Sequence, residues 1–396
     1  MQEAQLPKSN LYTLFLSILL VGMGFSIIIP VLPFYAKNMG ASAFQLGLLM
    51  TVYALCQFIF SPIWGRYSDR VGRRPVLLAG LLGFAFTFFC FAFATHLWML
   101  YVIRIAGGIF SCATLPTAMA VVGDSTSVDK RASHMGLMGA SMGMGMIMGP
   151  AIGGMLSHYS LSLPFLFAGL LCFLNFVAVF IWVKESHTRR GEANPGIKTA
   201  SLISSLKTPL AAYFIIMLLI SIADASHQGT FALYVKDRAN FNSVQTGWAF
   251  TLAGLGTVLA QGLILGRMTN RVGEERTAKT GILVMGASFA LFLYADNFLK
   301  VMACMGIYAL GVGLIRPALN SRISKQATDS QGSTLGILQS YDSLGRVIGP
   351  SIGGWLLDIN LAYAYVFATV FALLGMVVIS AFMKRSQEEG TPSESF

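Results

Sequence analysis

The sequence predicts an all-α integral membrane protein, with twelve transmembrane helices in two pseudo-symmetric six-helix bundles. Three observations carry that prediction. The 396-residue chain is 55% hydrophobic and only 11% charged, with a mean hydropathy of +0.68, a balance that belongs to chains packed in lipid. Apolar runs of about 20 residues, long enough to cross hydrocarbon as helices, recur along its whole length. The chain also repeats itself. Gly65-Arg66-Tyr67-Ser68-Asp69-Arg70-Val71-Gly72-Arg73-Arg74-Pro75 returns in weaker form as Gly266-Arg267-Met268-Thr269-Asn270-Arg271-Val272-Gly273. Likewise Gly149-Pro150-Ala151-Ile152-Gly153-Gly154-Met155-Leu156 returns as Gly349-Pro350-Ser351-Ile352-Gly353-Gly354-Trp355-Leu356.

The first span is expected near 11–35; it runs on through Pro30 and Pro33 without a small-residue cleavage site, unlike a signal peptide. The second, near 44–64, stops at the charge knot that begins with Gly65. That knot reads as a short turn at a membrane face, because so many arginines in ten residues cannot enter hydrocarbon. Spans three to six follow near 75–95, 97–122, 134–156 and 163–183. Lys184–Thr208, rich in charge, Gly, Pro and Ser, reads as a flexible linker between halves, giving units 1–183 and 209–396. The second half repeats the pattern near 209–234, 244–265, 278–295, 299–321, 332–356 and 361–383. Two halves of parallel order place a substrate cavity between them near the midplane.

Most of the 27 Lys and Arg fall in loops of one side when the loops are alternated, which puts both termini in the cytoplasm. The net charge of +10 therefore reflects membrane orientation. No basic patch with interleaved aromatics is present, so no nucleic-acid partner is expected. The five cysteines lie scattered in apolar runs as small packing residues. No GxxxxGK[S/T], HExxH, GxSxG or Cys/His ligand set occurs, so the chain is expected not to be an enzyme and to need no cofactor or metal. An ion gradient would supply the energy.

Within the charge knot, Gly65 is expected to let a neighbouring helix approach and Gly72 to let the backbone turn. Asp69 would accept hydrogen bonds from a helix N-terminus in the other half, latching one end of the molecule, while Arg70, Arg73 and Arg74 hold the cytoplasmic face. In span five Gly139, Gly143, Gly145, Gly149, Gly153 and Gly154 form a smooth packing surface and Pro150 adds a kink. A pliable hinge and tight static packing are both compatible with that pattern, which Gly349 and Pro350 repeat. Ionisable groups inside hydrocarbon are costly and few here. Asp224 in span seven, as a desolvated carboxyl, is the first choice for a proton carrier, with His227 one turn away on the same face. Asp342 and Arg346 in span eleven are four apart and placed to pair; Asp342 would otherwise contact substrate or proton, and Arg316 in span ten would neutralise either acid. Arg104 has no carboxylate deep within its own half. Met23, Phe25, Tyr53, Gln57, Met138, Met142, Met146, Phe231, Tyr234, Gln339 and Tyr341, with Arg104, Arg316 and Arg346, are the expected cavity residues, soft and adaptable surfaces suited to promiscuous binding.

These motifs resemble the major facilitator superfamily, and within it the twelve-span drug:proton antiporters. The knot at Gly65–Arg74 is similar to the superfamily's loop between spans two and three. Leu100-Tyr101-Val102-Ile103-Arg104-Ile105-Ala106-Gly107-Gly108 resembles its span-four arginine motif, and Gly145–Gly154 the antiporter motif of span five. Ile29-Pro30-Val31-Leu32-Pro33 and Ile315-Arg316-Pro317-Ala318 resemble the bacterial quinolone and multidrug efflux pumps. The resemblance implies that Asp124 joins the charge cluster at the knot, and that the chain is a functional monomer in the bacterial cytoplasmic membrane. It implies export of amphipathic small molecules, with protons and membrane lipid as the other partners. Two departures matter: span one and span ten lack the acids that many such pumps carry there. Three intramembrane arginines then face two carboxylates, which leaves neutral, zwitterionic and anionic amphiphiles open as substrates. An exporter of one endogenous solute (a sugar, siderophore or glycolipid) and a non-transporting sensor with the same fold are the alternatives.

Overall fold

A computed structural model describes residues 8–124, 128–183, 185, 205–208, 210–326 and 331–389. Among them twelve long helices follow in order: α1 (Lys8–Asn38), α2 (Ala43–Val71), α3 (Arg73–Ala92), α4 (Leu97–Asp124), α5 (Val128–Ser157) and α6 (Leu163–Trp182), then α7 (Ala211–Ala239), α8 (Ser243–Val272), α9 (Glu274–Phe292), α10 (Phe298–Gln326), α11 (Gln331–Ile359) and α12 (Leu361–Glu389). Ten are long and apolar enough to cross a membrane alone. The exceptions, α9 and α11, are those that begin with Glu274 and Glu275 or carry Gln339, Asp342 and Arg346. A π-helical turn, Ala260–Leu265, interrupts α8. Of the expected linker, only Glu185 and 205–208 lie within the described residues.

Contacts divide the chain into two compact units, Met1–Gly196 with Phe241–Gly254, and Ile197–Asn240 with Leu255–Phe396. In the first, α1 packs on α5 and α6, and α3 on α4 and α6; in the second, α7 packs on α11 and α12, and α9 on α10 and α12. The same pairing thus occurs twice. Its local devices recur as well. The Ser42 side chain caps α2 while Gln45 returns a bond to the Ser42 amide at 2.9 Å; Asn242 and Gln245 do the same for α8 at 2.9 and 3.1 Å. Each exchange satisfies two amides that a helix start leaves without partners. Near the end of α1 the Tyr35 hydroxyl reaches the Phe91 carbonyl at 2.9 Å, and near the end of α7 the Tyr234 hydroxyl reaches the Phe292 carbonyl at 2.7 Å.

The charge knot is not the expected turn. Helix α2 continues through Val71 and α3 starts at Arg73, so the reversal is confined to Gly72, at φ 113°. That angle belongs to the left-handed half of backbone space, where only glycine is unstrained. The arginines are carried on two further turns of helix, because nothing in Arg66–Val71 opposes helix continuation.

Candidate functional site

Three helices of the second unit bring its intramembrane charges together. Asp224 is on α7, Arg316 on α10, and Asp342 and Arg346 on α11. Gly345 and Gly349 make this possible. A Cβ on Gly349 would lie 2.5 Å from the Ile222 carbonyl oxygen and 2.8 Å from the Ser226 nitrogen, so α11 rests almost on the backbone of α7. At that separation Ser221 donates to Asp342 at 2.5 Å. Arg316 donates to both acids, through Nη2 to Asp224 at 3.1 Å and through Nη1 to Asp342. Arg346 Nε adds a bond to Asp342 at 3.0 Å, one helical turn away, and Gln339 another at 3.2 Å. Asp224 receives the hydroxyl of Tyr308 and, at 3.2 Å, the amide of Gln228.

The two expected roles of Arg316 are therefore both filled: it neutralises Asp224 and Asp342 together. Asp224, read from the sequence as a desolvated carboxyl, has its burial compensated by a guanidinium, a phenol and an amide. The Asp342–Arg346 pair is present. Tyr308, Gln228 and Ser221 escaped the sequence reading. Tyr308 precedes Arg316 by eight residues on α10, close to two helical turns and hence on its face, which was a usable signal; Ser221 announces itself only through the packing of α11 on α7.

His227 lies beside this array but not in it. Its ring is buried among Phe231, Phe289, Phe292, Tyr308 and Tyr365, with centroids 4.6 to 5.7 Å away. Nδ1 is 3.1 Å from the Tyr365 hydroxyl, and Nε2 is buried without a hydrogen-bond partner among the described residues. Tyr308, its ring tilted 51° against His227 and its hydroxyl bonded to Asp224, connects them.

The expected cavity residues divide. Phe231 and Tyr234 are wholly buried in the aromatic cluster around His227, Tyr365 and Phe292, and act as core there. Tyr341 is stacked on Phe214 at 5.5 Å, and its hydroxyl is 3.1 Å from Ser205. Met138 is likewise corrected: it belongs to the first unit's core with Leu14, Ile18, Leu77 and Leu81, and Met142 packs against that core. Hydrophobic surface alone does not tell a pocket wall from a core. Met23 is buried, Phe25 is half-buried 6.0 Å from the Tyr53 ring, and Met146 and Gln339 are exposed. Tyr53 donates to Ser111 at 2.8 Å, and the Gln57 amide reaches both hydroxyls at 3.2 and 3.1 Å. Arg104 is only 6% exposed and lies over the Tyr53 and Phe91 rings at 5.1 and 5.4 Å.

At the charge knot, Asp69 pairs with Arg73 at 2.6 Å, and Arg73 also donates to Ser68 at 2.8 Å. Arg70 is exposed. A carboxylate that the sequence reading did not single out, Glu185, accepts the backbone N–H groups of Arg73 and Arg74 at 3.0 and 3.1 Å. An acid at the first amides of α3 sits where the helix dipole favours it. Gly65 does not admit a close helix: a Cβ there would meet nothing within 4 Å among the described residues. The side chain of Asp124 lies outside the described residues. The span-five glycines do mediate close packing. Cβ atoms on Gly145, Gly149 and Gly153 would run into the backbone of α1 from Leu19 to Ile27, and Gly154 lies against Ser243 and Val244. Gly139 and Gly143 face open space. Both α5 and α11 are unbroken through Pro150 and Pro350.

A duplicated bundle of membrane-spanning helices with a compensated set of buried charges defines a polytopic transport protein. The chain belongs to the Major Facilitator Superfamily, whose family model matches residues 14–237 and 210–395. It is 30% identical over 384 residues to multidrug resistance protein 2 of Bacillus subtilis, covering 95% of this chain and 96% of that one. It is 34% identical to the class B tetracycline resistance protein of Escherichia coli, again over 95% and 96% of the two chains. Among solved structures it is similar to the nucleoside transporter NupG, with a TM-score of 0.79 at 15% identity, covering 95% of this chain and 98% of that one.

Proposed function

We propose that this protein exports amphipathic small molecules across a bacterial cytoplasmic membrane in exchange for protons, by alternating access, with both termini cytoplasmic. The full-length likeness to multidrug and tetracycline resistance proteins supports the substrate class and direction. The observation that carries the coupling is the unequal sharing of Arg316. Asp342 keeps a second arginine, Arg346, whereas among the described residues Asp224 has Arg316 alone. Protonating either acid leaves two arginines and one carboxylate, but with Asp224 protonated both arginines still touch the Asp342 carboxylate, whereas protonating Asp342 would strand Arg346. Asp224 is the cheaper proton acceptor, and Asp342 is the fixed counter-charge.

In one cycle Asp224 takes a proton from outside and lets go of Arg316; substrate leaves, the cavity reopens inward, and the proton is lost as substrate returns. Proton and substrate exclude each other through the arginine, which is the coupling. Met23, Phe25, Tyr53, Gln57 and Arg104 supply the substrate surface of the first unit. The charge knot, with Asp69 and Arg73, latches one end, and Asp124 joins it. Pro150 and Pro350 remove backbone donors from otherwise continuous helices, keeping α5 and α11 deformable while the glycines hold them to α1 and α7. His227 serves as a relay beside Tyr308.

The test is substrate-driven proton movement in proteoliposomes under an imposed pH gradient. Asp224→Asn is expected to abolish uphill flux while allowing downhill exchange, and Asp342→Asn to lower both. Uphill flux that survives intact in Asp224→Asn would refute the assignment.

A further inference from the structure

Arg104 is the exception to the way this molecule treats buried charge. Arg316 and Arg346 each hold a carboxylate. Arg104 is more deeply buried than either, and among the described residues its guanidinium has no carboxylate and no hydrogen-bond acceptor. Among the described residues no carboxylate of the first unit reaches it. Asp69 is bound to Arg73 and Glu185 to the amides of α3. Asp124, at the far end of the same helix, is twenty residues or about 30 Å away.

What surrounds Arg104 is a built environment. Its charge lies over the rings of Tyr53 and Phe91, which offset part of its burial but leave the buried Nε–H without an acceptor among the described residues. The Tyr53–Ser111–Gln57 hydrogen-bonded group continues from the Tyr53 edge. Gly107, one turn further along α4, packs against the same group, a Cβ there lying at ordinary contact distance, 3.6 Å from the Tyr53 ring and 3.7 Å from the Thr87 hydroxyl.

We propose that Arg104 is the anchor of an anion site, taking the carboxylate or sulfonate of an organic anion in a forked pair while Tyr53 and its neighbours hold the apolar, planar body. The substrate brings the counter-charge that the first unit lacks. This rests on the transport reading for its purpose, but the binding step stands apart from proton coupling. A guanidinium fork matches a planar carboxylate bidentately, and an ammonium does not.

Three ligands that share one ring test it: 2-naphthoate, 2-naphthamide and 2-naphthyltrimethylammonium. Their binding to the purified full-length protein is measured by equilibrium dialysis with no gradient present. Wild type is expected to bind the carboxylate about tenfold or more tighter than the amide, as a charged hydrogen-bonded pair gives, and the cation weakest. Arg104→Gln is expected to erase the preference for the carboxylate, bringing naphthoate down to the affinity of the amide. Arg104→Lys, which keeps charge and bulk if the glutamine protein does not fold, is expected to weaken naphthoate about tenfold and not the amide. Equal binding of carboxylate and amide by wild type, no naphthoate binding at millimolar concentration, or a preference that survives in both variants would overturn the proposal. Failure of the transport reading looks different: Asp224→Asn would keep uphill flux while these affinities stayed as stated.

Discussion

At the residue scale, Asp342 and Asp224 differ in how much each depends on Arg316. Arg316 is the shared member, so its loss would be felt twice. Arg316→Ala is expected to destabilise the protein by about 3–5 kcal/mol, the usual cost of stranding a buried partner. Adding Asp224→Asn removes one stranded charge and is expected to recover part of that loss, as a double-mutant cycle on thermal unfolding would register. Tyr308→Phe removes one donor from Asp224 and is expected to cost about 1.5–3 kcal/mol. The charges outside the membrane behave more simply. At the start of α9, Glu274 is held below the usual carboxylate range chiefly by its hydrogen bond to Lys325, on α10. Because the folded value is depressed, this pair stabilises above the unfolded carboxylate value of about 4.3 and its contribution fades as pH falls through the folded value. Glu274→Gln should therefore narrow the difference in melting temperature between pH 7 and pH 4. A variant with the same acid sensitivity as wild type would show that the pair contributes nothing.

At the scale of elements, the glycines of α5 and α11 are not interchangeable with one another. Gly349→Ala is expected to cost about 1–3 kcal/mol, since its methyl would have to displace the backbone of α7. Gly143→Ala, facing open space on α5, is expected to be neutral or to stabilise by up to about 1 kcal/mol through helix propensity. Thermal unfolding of both in the same detergent separates the seats from the bystanders. The serines opposite the glycine rows have diverged too. Ser26 reaches the Gly145 carbonyl across to α5 at 3.1 Å, whereas the Ser226 hydroxyl oxygen is buried without a partner among the described residues. Ser26→Ala is expected to cost about 1 kcal/mol and Ser226→Ala nothing. The sequence already spoke plainly of helices at this scale, because hydropathy is a sum over twenty residues and survives local exceptions. It was mute on which glycines touch a neighbour: spacing assigns a face to Gly139 and Gly149 alike, and only the position of α1 distinguishes them.

For the whole molecule, duplication and the charges within spans were readable from the chain, since a lone acid in an apolar run stands out without any structure. Their partners were less so. Tyr308 and Ser221 look like any span residue until three helices converge, and Met138 and Phe231 look like pocket walls until they are seen filling cores. The orientation argument from Lys and Arg makes its own prediction. A green fluorescent protein fused after the last helix, α12, is expected to fluoresce, and alkaline phosphatase fused there to be inactive; active phosphatase would invert the topology.

The π-helical turn of α8 carries a trace of how the two copies drifted apart. Gln45 and Gln245, then Gly47 and Gly247, stand 200 positions apart, while Gly65 and Gly266, then Gly72 and Gly273, stand 201 apart. The second copy is therefore one residue longer between 247 and 266, and Ala260–Leu265 is where the helix stores the difference, because a π turn is how an α-helix takes up a single extra residue. Helix residues after the turn, Arg267 and Arg271 among them, would stand about 100° round the axis from their present positions without the extra residue.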